Sequence, residues 1–364
     1  MRLTLVIYSL SAGGAERVLS ILANYWAKKG WQITLLTMDD GKKLFYELHP
    51  AITHRPLAVE GKSSNLFWGL VNNLKRIWVI RKALKASAPQ IVISFMKRTN
   101  VLVFFATLNF KPPLFVCEHS DPHYSRTSGI WDLLRNLTYL GATRLIVLTQ
   151  TARSYFSSAI QRHTIVIPNP VLPPENNDWT NGKRDFKTLL AMGRLNKVKG
   201  FDLLLKAFAK IAPKHPDWSL VIWGEGPQRA SLEKLRDELG LKTRVKFPGT
   251  TKQPGEKMRE SDIFVLSSRS EAFPMALLEA MARGLPAISF DCPSGPREII
   301  RDGLDGILVP PEDVDAFAHT LDRLMSDENE RNRLSLRALE VNERFQLEKV
   351  MGMWEDILKS SLRN

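Results

Sequence analysis

Cysteine is nearly absent from this 364-residue chain: only Cys117 and Cys292 occur. That excludes a disulfide framework and a cysteine-rich metal site, and it points to a reducing compartment. Long apolar runs are missing as well. Nothing approaches the roughly 20 residues of a membrane span. The N-terminal MRLTLVIYSL is short for a signal peptide and runs straight into a glycine-rich turn, so it reads as a first strand. Acids are scarce in one half only. Residues 1–170 carry 21 Lys and Arg against 8 Asp and Glu, a difference of +13, whereas residues 171–364 carry 30 of each. From Gly61 to Cys117 there are nine basic residues and no acid. Such a field attracts an anionic membrane, a diphosphate or a nucleic acid. No recognisable RNA- or DNA-binding motif accompanies it, so a nucleic-acid-binding protein is a remote alternative.

What is there has the pattern of an α/β protein. The length calls for two domains. Residues 3–9, 32–38, 91–96, 114–118, 144–149 and 164–168 read as short, near-continuous apolar strands with helical stretches between several of them, as in a parallel sheet covered on both faces. In the second half, strands are read from 187, 218, 244, 262 and 285 onward. The segment TIVIPNPV (164–171) and the polar, turn-rich residues 173–186 mark the boundary. The expected division is 1–170, 171–345, and a last helix, 346–364, with Val350, Met351, Trp354, Ile357 and Leu358 as its apolar face.

The stretch from Arg269 to Phe290, RSEAFPMALLEAMARGLPAISF, carries the most information. Phe273 precedes a proline and is pushed out of helical geometry, while Pro274 suits the first helical position. Met275 to Arg283 are good helix formers, Gly284 fits the position after the helix, and LPAISF reads as a strand. Glu271 therefore lies in a loop. Glu279 lies in the helix, roughly 7–8 Å along its axis. Between them the free N–H groups of the helix start favour an anion. That order suits a ligand with hydroxyls at each end and phosphates in the middle, as in a nucleotide sugar.

The Glu-x7-Glu pair around FPMALLEAMA, with GPREIIRDGLDGILVPPED downstream, resembles the donor site of a retaining glycosyltransferase of family 4. The resemblance covers most of the chain. It implies the GT-B fold, two Rossmann-like doubly wound domains facing across a cleft, with the acceptor on the first, the donor on the second, and the last helix crossing back to pack on the first. It implies transfer of a hexose or N-acetylhexosamine from a nucleotide diphosphate sugar, a UDP-sugar being the first expectation, with retained configuration. No cofactor or metal is expected, because the nucleotide sugar is a co-substrate.

Residue roles follow from the same resemblance. Glu271 orients the sugar and Glu279 the ribose, with Phe273, Met275 and Ala276 lining the donor site. Arg194 and Lys199, in GR…KG after a strand, match the family's donor-phosphate pair. Gly13 and Gly14 lie near the donor phosphate, and His119, in EHS, donates a hydrogen bond to the sugar. Of the nearby EHSDPH acids and histidines, His119 and His123 lack a typical zinc pattern. Polyprenyl-diphosphate-dependent relatives are similar over residues 65–87. There Phe67, Leu70, Val71, Leu74, Ile77, Trp78 and Leu84 recur at helical spacing. Two readings stand for that helix: a core-packing helix, or one lying on an anionic membrane with Lys75, Arg76, Arg81, Lys82 and Lys85 toward phosphates. The second implies a lipid-diphosphate-linked acceptor at the inner face of the cytoplasmic membrane. A soluble sugar or protein acceptor is the alternative, and a phosphorylase or epimerase would share the fold.

Overall fold

The computed structural model describes residues 1–42, 44–61, 66–110, 112–122, 124, 129–172 and 186–362. His123 and residues 173–185 lie outside them. The chain forms two compact units, Met1–Asn169 with Glu348–Asn364, and Pro170–Leu347.

The first unit is built on seven parallel strands: β1 (Arg2–Ile7), β2 (Gln32–Thr37), β3 (Thr53–Pro56), β4 (Ile91–Phe95), β5 (Leu114–Glu118), β6 (Arg144–Val147) and β7 (Thr164–Val166), in the order β3-β2-β1-β4-β5-β6-β7. β4 and β5 are buried at every residue, which is why they read as unbroken apolar runs. β3, Thr-His-Arg-Pro, is a mostly exposed edge strand; polar and ending in proline, it gives no strand signal. One core cluster joins a sheet face to the helices Leu66–Ser87, Lys97–Thr107 and Gly129–Leu140, through residues such as Ile80, Leu84, Leu102, Val103 and Tyr139. These three helices therefore lie side by side on one face of the sheet. The last helix, Leu347–Ser360, joins this unit. Trp354 meets Trp26 edge-on at 6.0 Å, and Lys29 donates to Glu355 at 2.5 Å.

The second unit holds six parallel strands: β8 (Thr188–Met192), β9 (Ser219–Trp223), β10 (Val245–Gly249), β11 (Ile263–Leu266), β12 (Ala287–Phe290) and β13 (Ile307–Val309), in the order β10-β9-β8-β11-β12-β13. The helix Phe201–Ile211 buries Leu204, Leu205 and Phe208 on it, within a core that also takes Phe290 and Phe317. Each sheet reverses its strand order once, between β1 and β4 in the first and between β8 and β11 in the second. In open α/β sheets, ligands bind at the carboxyl ends of the strands at such a reversal.

Candidate functional site

In the second unit the loops leaving β8 and β11 flank the reversal, and both are charged. After β8 come Gly193 and Arg194, then a 3-10 turn at Lys197–Lys199, closed where the Asn196 side chain accepts from the Lys199 N–H at 3.2 Å. Gly200 follows at φ +62°, and a Cβ there would overlap the Ser267 carbonyl, so only glycine fits. The loop after β11 is stitched to this turn. Ser267 Oγ donates to the Lys199 carbonyl at 3.0 Å, and the Arg269 N–H donates to the Val198 carbonyl at 2.7 Å. The Arg269 guanidinium forks onto both carboxylate oxygens of Asp202 at 2.8 Å. It also reaches Glu312 at 2.8 Å and the Lys197 carbonyl at 2.7 Å.

That framework brings Lys199 and Glu271 together. Lys199 Nζ and Ser268 Oγ both donate to Glu271 Oε1, each at 2.6 Å. The Glu271 side chain is 10% exposed and that of Lys199 24%. Among the described residues Oε2 of Glu271 takes no hydrogen bond, so it is the acceptor left for a ligand hydroxyl. Gly295, at φ +90°, backs the loop; a Cβ there would come within 3.1 Å of Glu271 Cβ. Arg194 is exposed, and its guanidinium has no partner among the described residues. Arg194 and Lys197, both exposed on this loop, add positive charge beside the Lys199–Glu271 pair.

The helix after Glu271 is shorter than the sequence suggests. It spans Met275–Met281, with Pro274 as its extended N-cap at ψ 101°. Gly284, at φ +67°, ends it: its N–H donates to the Met281 carbonyl at 2.8 Å. Phe273 and Met275 are buried, Phe273 edge-on against Phe345 at 5.4 Å. Their side chains thus pack within the unit. What this segment offers a ligand is the N–H groups of Met275 and Ala276, which have no intrahelical acceptor. Glu279, the fifth helical residue, is buried.

In the first unit Gly14 opens the helix Gly14–Lys28. Gly13 has φ −171°, extended backbone that any residue adopts. The Tyr46 hydroxyl donates to its carbonyl at 2.9 Å and accepts from its N–H at 3.3 Å. The Gly13 backbone is thus tied to Tyr46, while Gly14 is exposed. The Glu16 carboxylate lies over Gly13, and burial raises its pKa.

His119 follows β5, half-buried, with its ring 5.0 Å from that of Phe95. Burial pushes its pKa down to about 4, so the imidazole is neutral at pH 7. Its neighbour Glu118 is 1% exposed. The Glu118 carboxylate accepts from Tyr139 Oη at 2.9 Å and from Ser120 Oγ at 2.5 Å. Asn100 Nδ2 donates to Tyr139 Oη at 2.9 Å and to the Cys117 carbonyl at 3.0 Å, and Ser94 donates to Asn100 Oδ1 at 2.7 Å. Burial, and then the charge of Glu118, raise the Tyr139 phenol. This network fixes the end of β5 and the chain that presents His119.

The basic helix Leu66–Ser87 packs in the core over only part of its length. Of the apolar stripe, Phe67, Leu70, Val71, Leu74 and Trp78 are exposed, whereas Ile77 and Leu84 pack on the core beside Ile80 and Ala83. Arg76 donates to the Val59 and Gly61 carbonyls at 2.9 and 2.7 Å, and Arg81 to the Ala106 and Phe105 carbonyls at 3.0 and 2.8 Å. These two arginines anchor the helix, which leaves Lys75, Lys82 and Lys85 as its outward cations. Lys82 lies over the Trp78 ring at 5.6 Å.

Sequence reasoning missed Ser268, Arg269 and Asp202, and the parts played by Glu118 and Tyr139. Ser268 stands three residues before Glu271 and had a local signal in SSRSE. The Arg269–Asp202 and Tyr139–Glu118 pairs are 67 and 21 residues apart, and only the fold brings them together.

Comparison with known proteins agrees with this architecture. Residues 12–173 match the family described as Glycosyltransferase Family 4, and residues 175–341 match Glycosyl transferases group 1. The chain is 28% identical over 355 residues to a Campylobacter jejuni alpha-1,4-N-acetyl-D-galactosaminyltransferase named for an undecaprenol-diphosphate-linked glycan, covering 97% of each chain. It is 27% identical to the amylovoran biosynthesis glycosyltransferase AmsD of Erwinia amylovora, over 98% of this chain and 99% of that one. Among solved structures, sucrose-phosphate synthase from Thermosynechococcus elongatus superposes with a TM-score of 0.84 at 21% identity, covering 99% of each chain. Anabaena HepE in complex with UDP-glucose does so at 0.81 and 19%, covering 98% of this chain and 99% of that one. The fold is GT-B.

Proposed function

Because the chain belongs to the glycosyltransferases, with a family 4 domain followed by a group 1 domain, we propose that it moves a hexose or N-acetylhexosamine from a UDP-sugar to a lipid-diphosphate-linked glycan, with retention at the anomeric carbon. The observation that carries this reading is the Lys199–Glu271–Ser268 cluster at the β8/β11 reversal, with Arg194 exposed on the same loop as Lys199. The leaving diphosphate gathers negative charge as the glycosidic bond breaks. Arg194 meets it with a planar fork and Lys199 with a point charge. Glu271 Oε2 accepts from a sugar hydroxyl, while Lys199 and Ser268 hold its other oxygen and so fix the carboxylate plane. Glu279 orients the ribose. His119 takes its role from the family resemblance: a neutral imidazole that donates to a sugar hydroxyl. The two cations supply the charge that a divalent metal supplies elsewhere, so the reading includes turnover in EDTA.

Support for a lipid-linked acceptor comes from the relative named for such a glycan and from the helix Leu66–Ser87. Its exposed Phe67, Trp68 and Trp78 beside Lys75, Lys82 and Lys85 suit the headgroup layer at the inner face of the cytoplasmic membrane. No described helix is long and apolar enough to cross a membrane, so the contact would be peripheral. A thermal-shift screen over UDP-, GDP- and ADP-sugars tests the donor, since a bound ligand stabilises the fold by mass action. A rise with UDP-sugars alone is expected, and a rise confined to GDP- or ADP-sugars would reassign the base. Transfer as efficient to short soluble sugars as to a polyprenyl-diphosphate sugar in detergent would overturn the acceptor.

A further inference from the structure

The helix Gly129–Leu140 is inside out by the usual rule for a soluble protein. Ile130, Leu133, Leu137 and Leu140 are 64, 59, 56 and 47% exposed. Steps of three and four residues put them in one stripe along three turns. No charged residue is exposed anywhere on this helix. Its two charges turn inward instead. Asp132 accepts from the buried Lys97 at 2.8 Å, and Arg135, 1% exposed, stacks over the rings of Tyr155 and Phe156 at 5.0 and 5.4 Å. The orientation is locked, because rotating the leucines inward would break these contacts and the Tyr139–Glu118 hydrogen bond. A stripe of this size, held outward by buried polar contacts, needs an apolar cover.

The surroundings identify that cover. Helix Leu66–Ser87 lies on the same face of the sheet, with the helix Lys97–Thr107 between the two. It exposes aromatics among lysines, in a stretch with no acid from Gly61 to Cys117. A second copy of this chain, packed on the same face, would set these cations against their own equivalents across a two-fold axis. An anionic bilayer would neutralise them while taking the aliphatic side chains below its headgroups.

We propose that the helix Gly129–Leu140 is a second interfacial helix, whose Ile130–Leu133–Leu137–Leu140 stripe inserts into an anionic phospholipid bilayer beside helix Leu66–Ser87. This rests on the peripheral-membrane part of the proposed function and adds the inserted element to it. It also ties the membrane to the chemistry, because Tyr139 on the inner side of this helix holds Glu118, next to His119.

The test uses the full chain and vesicles of equal parts phosphatidylglycerol and phosphatidylethanolamine. Leu133→Glu with Leu137→Glu should lower vesicle co-sedimentation at least tenfold, with thermal stabilisation by UDP unchanged. Leu137→Cys, labelled with an environment-sensitive fluorophore, should shift to the blue on adding these vesicles; the native Cys117 and Cys292 are buried and escape the label. Unchanged sedimentation of the double variant, or no spectral shift, overturns the proposal. If the parent dimerises through this stripe and the double variant is monomeric with vesicle binding intact, the cover is a second copy and the proposal falls. Loss of binding in Lys75→Gln/Lys82→Gln/Lys85→Gln but not in the leucine variant would sink this inference alone. A parent that ignores the vesicles would sink the membrane reading with it.

Discussion

Lys199 and Glu271 should behave as one unit, and a double-mutant cycle can show it. Lys199→Met removes a 2.6 Å hydrogen bond and leaves a carboxylate only 10% exposed with Ser268 as its remaining donor. Breaking a fully buried pair costs about 3–5 kcal/mol and an exposed one about 0–1. With side chains 24% and 10% exposed, this pair lies between, at about 1–3 kcal/mol of stability. The catalytic loss should be larger. Removing one preorganised donor from a charged transition state costs about 10²–10³ in kcat. Glu271→Gln should cost about as much, because the amide cannot hold the lysine as a carboxylate does. Independent residues would give a double variant down by the product, about 10⁴–10⁶. A coupled pair predicts a double variant within about tenfold of the worse single, a coupling of about 1.4–4 kcal/mol. The assay is kcat/KM for acceptor-dependent UDP release by the four proteins. Multiplicative losses would refute the claim that the ion pair is the working group.

Other outcomes follow from the same geometry. The folded pKa of His119, about 4, lies below its ordinary 6.5, so the unfolded chain takes the proton first. The contribution of neutral His119 to stability is whole above pH 6.5 and is lost as pH falls through about 4; in its proposed role, turnover should fall only near pH 4. Turnover that halves near pH 6.5 in the parent but not in His119→Gln would contradict this. Arg269→Lys cannot keep the fork to Asp202; it should lower kcat several-fold and the thermal midpoint of the second unit by a few degrees, read by calorimetry. Gly200→Ala meets both a left-handed φ and the Ser267 carbonyl, and should cost at least about 2 kcal/mol in urea unfolding. Turnover should survive millimolar EDTA; loss in EDTA with recovery in magnesium would reassign the Glu271–Glu279 pair.

The strands of both sheets were largely legible, because parallel strands buried on two faces leave long apolar runs. β3 was not, since an exposed edge strand of Thr, His, Arg and Pro has no such run. Glu271, Glu279, Arg194 and Lys199 were legible as motif positions, yet the direct Lys199–Glu271 contact was not, because it depends on two loops from different strands meeting at Gly200. Periodicity revealed the apolar stripe of helix Leu66–Ser87 but not that most of it points outward. A period fixes which residues share a helix face and leaves open where the sheet lies. Arg76 and Arg81 looked like cations for a phosphate and serve backbone carbonyls instead, a choice made by a neighbouring loop and helix.

In the proposed mechanism Glu271 acts at the sugar end of the donor. Glu271→Ala, titrated with UDP in a calorimeter and assayed in parallel for transfer, tests that most directly. UDP affinity should stay within a few-fold of the parent while transfer falls by at least about 10³. Lost UDP binding would place Glu271 at the nucleotide end, and retained transfer would remove it from the site.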